Sequence, residues 1–73
     1  MEKNLDVIIF ENIKREIEQS GLKKSEIASA IGVSKATVSQ YLSGRAQPTL
    51  ATLSKLCSVL DCSADEILNV THK

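Results

Sequence analysis

Apolar positions recur along this chain at helical spacing. Ile9, Ile13 and Ile17 stand at i, i+4 and i+8 with Phe10 beside them, while Glu11, Lys14, Arg15 and Glu18 fall on the opposite, wetted side. Ile27, Ala28 and Ile31 follow at i, i+1 and i+4, and Val38, Tyr41 and Leu42 at i, i+3 and i+4. Leu53, Leu56, Cys57 and Leu60 repeat at i, i+3, i+4 and i+7. Each series lays a stripe on one side of a 3.6-residue period, so the chain reads as all-α. Strand-type alternation never lasts more than a few residues, and no apolar run reaches membrane-spanning length.

The residues between these stripes punctuate them. Asn4 or Asp6 can cap a first helix running to Ser20, with Gly21 ending it. A second helix spans 24–31 and stops at Gly32, whose freedom at positive φ suits a helix end. Ser34 caps a third over 35–43, closed by Gly44. Arg45-Ala46-Gln47-Pro48 forms a loop, Thr49 caps a fourth helix over 50–60, and Asp61 takes its left-handed end. Ser63-Ala64-Asp65-Glu66 reads as a capping box, with Cys62 and Ile67 as a hydrophobic staple, for a fifth helix ending near Asn69. Residues 70–73 are expected to fray. Two short helices joined by Gly32-Val33-Ser34 make a helix-turn-helix, a motif that can lay its second helix in a DNA major groove. Residues 1–73 are read as one domain, with the helix-turn-helix proper at 24–43.

Composition narrows this further. Seventy-three residues lie near the lower limit for independent folding, but 42% hydrophobic and 25% charged residues disfavour disorder. Phe10 and Tyr41 are the whole aromatic complement, so the core must be aliphatic. The net charge is zero, which is unusual for a nucleic-acid binder. Its distribution changes the reading: residues 1–21 carry −2, residues 22–47 carry +3 and residues 48–73 carry −1. A locally basic face on a neutral body can still hold phosphate, although so few cations predict weak non-specific binding.

Leu5, Val7, Ile8, Ile9 and Phe10 are too many apolar residues for one stripe. Val7 and Ile8 are expected either to cover the end of helix 5 or to form a dimer contact. Cys57 and Cys62 lack metal or disulfide-scaffold spacing and read as small core residues of a protein in a reducing cytoplasm. An enzyme is not expected. His72 is the one histidine, no nucleophile–base pair or phosphate-cradling Gly loop is present, and neither a metal nor a cofactor is called for.

The set Leu22, Ile27, Ala28, Ile31, Gly32, Val33, Ser34, Val38, Gly44 and Pro48 resembles the phage-repressor and Cro-like helix-turn-helix family, over about residues 10–68. The resemblance implies a compact five-helix, lambda-repressor-like domain that binds operator DNA, usually as a dimer, in a bacterial or phage setting. By position it implies base contacts from Lys35, Ala36, Ser39 and Gln40. Backbone contacts would come from Lys23, Lys24, Ser34, Thr37, Ser43 and Arg45. Gln40 can pair bidentately with adenine, Lys35 can reach guanine acceptors or a phosphate, and Ala36 can touch a thymine methyl.

The chain also departs from the family pattern. Lys23 and Lys24 replace the usual hydroxyl N-cap and Gln of helix 2, which predicts a less well capped first turn beside two extra cations. Asp61 stands where Gly is usual. Ile17 and Leu42 occupy the places of an Arg–Glu ion pair and are expected to meet, since apolar residues can replace a buried pair without loss. The leading expectation is a sequence-specific regulator, a repressor in the first instance. The alternative is a protein-interaction module of the same fold, such as an antitoxin or a partner-controlled regulator with weak DNA binding.

Overall fold

The computed structural model describes residues 4–70, so His72 and the rest of the expected frayed end beyond Val70 lie outside them. Five helices make up the described residues: α1 (Leu5–Ser20), α2 (Lys24–Ile31), α3 (Lys35–Ser43), α4 (Leu50–Leu60) and α5 (Ala64–Leu68). The boundaries follow from the caps. Asn4 Oδ1 accepts the Val7 N–H at 2.9 Å, and the Ser34 and Thr49 hydroxyls accept the N–H groups of Thr37 and Thr52. Every helix then ends on a left-handed residue: Gly21, Gly32, Gly44, Asp61 or Asn69. Asp61 (φ 54°) and Asn69 (φ 59°) do this with side chains present, which Asp and Asn tolerate better than most residues.

Two caps differ in detail from the sequence expectation. The Ser63 hydroxyl accepts the Asp65 N–H rather than that of Glu66, one residue earlier than a capping box uses. At α2, Glu26 Oε1 accepts the Lys23 N–H at 2.9 Å, which is half of a box. Lysine has no acceptor atom, so the return bond cannot form. The first turn of α2 is therefore capped from one side only.

Ile13, Ile17, Ile27, Ala28, Ile31, Val38, Tyr41, Leu53, Leu56 and Ile67 form one buried cluster drawn from all five helices. Ile9, Val33, Leu42, Cys57, Leu60 and Cys62 pack half-buried against it. Ile17 and Leu42 thus both serve the apolar interior, Ile17 fully and Leu42 at its margin. No charged or polar residue is buried among the described residues. Tyr41 is 6% exposed, and burial raises its phenol above the ordinary tyrosine value.

Val7 is 38% exposed at the start of α1. It lines a cleft with Phe10, Gly44, Ala46 and Gln47, between the start of α1 and the α3–α4 loop. Gln47 Nε2 donates to Asp6 Oδ1 at 3.4 Å across the same cleft, and the Phe10 ring lies beneath Gly44.

Helix α5 has five residues, too few to be stable alone. Asn12 supplies what the sequence pattern did not reveal. Its Nδ2 donates to the Glu66 and Ile67 carbonyls at 3.1 and 3.0 Å, pairing acceptors that the end of a helix leaves open. Arg15 Nη1 donates to Asn12 Oδ1 at 3.1 Å and turns the amide so that its NH2 faces α5. The Asn12→Ala variant is expected to lose about 1–2 kcal/mol of stability in urea unfolding, the range for hydrogen bonds removed from a partly buried site. An unchanged midpoint would show that water replaces the amide freely.

Candidate nucleic-acid interface

The sequence from Ile27 to Ser43 builds a surface with two unlike sides. Ile27, Ala28 and Ile31 hold α2 to the body, and Val38 (0% exposed) and Tyr41 do the same for α3. At the turn, the Gly32 and Val33 N–H groups both donate to the Ala28 carbonyl, at 2.9 and 3.0 Å. These two bonds close the end of α2 and swing the chain into α3. With its apolar side committed inward, α3 presents the other edge outward.

Lys35, Ala36 and Gln40 are exposed on that edge, and Ser39 is half-exposed. Lys23, Lys24, Ser34, Ser43 and Arg45 are exposed around it, and Thr37 is half-exposed. The fold therefore leaves all ten sequence-predicted site residues accessible, along α3 and at both its flanks. None of Lys23, Lys24, Lys35 and Arg45 is ion-paired with another described residue. Glu26 reaches the Lys23 backbone N–H but pairs with none of these four side chains, whereas Arg15 on α1 is ion-paired with Glu16 at 3.3 Å.

The hydroxyls are more constrained than the cations. Ser34 Oγ accepts the Thr37 N–H at 3.1 Å and shares a second hydrogen bond with Thr37 Oγ1 at 2.9 Å. Whichever of the two hydroxyls donates, the other keeps a proton for an outside acceptor. Ser43 Oγ donates to the Gln40 carbonyl at 3.2 Å, so its proton is already used within α3. The Lys35 and Ala36 amides, at the start of the helix, have no backbone partner among the described residues. Open amides and a helix dipole favour an anion there. Tyr41 is turned into the core rather than outward. Among the described residues no group of three or more His, Cys, Asp and Glu side chains could hold a metal ion.

Residues 13–67 match the family described as Helix-turn-helix, which is more than half of the chain. The chain belongs to the phage-repressor and Cro-like helix-turn-helix family. Members of this family are DNA-binding transcriptional regulators, and the cationic edge of α3 lies on the motif that defines it. Among similar proteins is the SPbeta prophage-derived uncharacterized HTH-type transcriptional regulator YonR of Bacillus subtilis (strain 168), 32% identical over 62 residues. That match covers 85% of this chain and 57% of YonR, so the chain spans little more than half the length of this relative. Among solved structures, that of the SOS-response transcriptional repressor LexA from Eubacterium rectale superposes with a TM-score of 0.79 at 25% identity. The superposition covers 100% of this chain and 82% of that one. The fold is thus shared with a protein described as an SOS-response transcriptional repressor. Among the described residues no helix is long and apolar enough to cross a membrane.

Two features of the surroundings were not legible beforehand. The Asp6–Gln47 contact and the Phe10 ring under Gly44 tie the α3–α4 loop, and with it Arg45, to α1. Their signal in the sequence was weak: one glycine, and one aromatic residue outside the main stripe.

Proposed function

We propose that this protein is a sequence-specific double-stranded DNA-binding regulator, a repressor in its simplest form, which inserts α3 in the major groove. The observation that carries the reading is the division of α3 itself. Val38 and Tyr41 are buried while Lys35 and Gln40 stand exposed on the outward edge. Lys35, Ala36, Ser39 and Gln40 would meet base edges, with Gln40 suited to adenine N6 and N7. Lys23, Lys24, Ser34, Thr37, Ser43 and Arg45 would meet phosphates on either side. For Ser43 the internal bond to Gln40 leaves the hydroxyl only as a secondary contact.

A single module of this size has a small footprint, on the order of 600–1,000 Å². A dimer on a two-fold operator, with half-sites one helical turn apart, would double it. The whole of residues 1–73 would act as the DNA-reading domain, inside a bacterial cell or one infected by a phage. The interaction-module alternative draws its support from the zero net charge. It predicts at most weak duplex binding, with no preferred sequence recovered by selection.

Selection of bound duplexes from a random library, followed by anisotropy titration over a range of salt, tests the proposal. Gln40→Ala is expected to relax preference at one base position by about 1–3 kcal/mol. Lys24→Ala should weaken all sequences alike and lower the salt slope by about one unit. No binding at low ionic strength would overturn the reading, and the opposite mutant pattern would exchange the assigned roles.

A further inference from the structure

Cys57 lies in the last turns of α4 and Cys62 just past its end, and the cap between them sets their relation. Asp61 takes the left-handed conformation, and the Cys62 N–H donates to the Cys57 carbonyl at 3.0 Å. This six-to-one bond around a left-handed residue brings the first and sixth side chains together. The end of α2 is closed in the same way, with the Val33 N–H on the Ala28 carbonyl and both side chains turned to the core. Where α2 has Ala and Val, α4 has two thiols. Both cysteines are free, half-buried and packed against the same cluster.

We infer that Cys57 and Cys62 form a dithiol oxidation site, closed to an intramolecular disulfide by a peroxide and reopened by a thiol reductant. One thiol loses its proton and attacks the peroxide: an S–O bond forms, the O–O bond breaks and hydroxide leaves. The other thiol, on losing its proton, attacks that sulfur. The S–S bond forms, the S–O bond breaks, and a second hydroxide leaves. The released protons convert both hydroxides to water, so two thiols are oxidised as one peroxide is reduced.

Burial first, then the charge of Cys57 and a hydrogen bond with it, then the charges of Glu16 and Glu66, push the Cys62 thiol up to about 11. Burial and these neighbours hold the Cys62 thiol protonated, and the product is the same whichever sulfur meets the peroxide first. The site needs nothing from the DNA-binding reading. Transient pairs of this kind are the form in which disulfides occur in reducing compartments.

Treatment of the whole chain with hydrogen peroxide, followed by alkylation and intact mass measurement, tests it. The expected product is a monomer lighter by two hydrogens, with both cysteines protected from alkylation and restored by dithiothreitol. The cap geometry supplies a second test. Asp61→Gly keeps the left-handed turn and should close at least as readily as the wild type. Asp61→Val opposes that turn, parts the two side chains and should slow closure about tenfold. Chain-to-chain disulfides or sulfinic acids as the main product would overturn the inference. So would persistence of two alkylatable thiols where free glutathione is oxidised, or equal rates in the two Asp61 variants.

Discussion

Ile27→Ala is expected to remove about 2–5 kcal/mol of stability, the range for truncating a large residue in a close-packed core. Ile27 is 0% exposed on α2, the helix that packs against both α3 and α4. Its loss leaves a cavity at the joint where the helix-turn-helix meets the body. For a chain of this length total stability is on the order of 4–11 kcal/mol, so the variant should be partly unfolded at 37 °C. Urea unfolding followed by circular dichroism measures it. The exposed neighbour Ser25 provides the control, since Ser25→Ala should shift stability by no more than about 0.5 kcal/mol. Equal effects at the two positions would mean that α2 is not held as described.

Gly44→Val should be the next most damaging, at about 2–4 kcal/mol. Gly44 sits at φ 81°, where a β-branched residue is strained whatever the room around it. A Cβ there would already touch the Phe10 ring at 3.4 Å, an ordinary contact, so the two further methyls of valine must compete with the ring for space. The loop that follows carries Arg45, so the variant tests position as well as stability. Under the proposed function its affinity for a selected duplex should fall even at a temperature where circular dichroism shows it folded. Gly21→Val gives the comparison. Gly21 has the same left-handed backbone at φ 73° but nothing within 4 Å of its would-be Cβ. A smaller loss is expected there, and one equal to that of Gly44→Val would remove the role given to Phe10.

The helices were legible because their ends are written locally. Ser34, Thr49, Gly32 and Gly44 act on their own turns, and a 3.6-residue stripe needs no knowledge of its partner. Asp61 was readable for the same reason: Asp is among the few residues with a side chain that accept the left-handed turn. What was not legible is contact between distant segments. Asn12 stands among the apolar positions of α1, where nothing in the local pattern marks a role for it. Its partners lie more than fifty residues away, on a helix that periodicity can outline but not dock. The cleft that Val7 lines was hidden in the same manner, since a surplus of apolar residues does not say which neighbour absorbs it. The candidate interface was legible at the level of the edge, because burial of Val38 and Tyr41 dictates what remains outside. Two of its hydroxyls were not, because Thr37 and Ser43 have internal partners that compete with any external one, whereas the capping role of Ser34 was readable. The cysteines show a local rule passed over: the turn that Asp61 makes possible is the turn that brings Cys57 and Cys62 together.

The interior of this bundle is free of charge throughout the described residues, down to the positions of Ile17 and Leu42. Dissolved ions therefore have little hold on the folded body, while the unpaired lysines and arginine outside remain fully subject to screening. Brine can loosen what the outer edge grasps without melting the scaffold that carries it, so a falling titration curve would count severed phosphate contacts rather than lost protein.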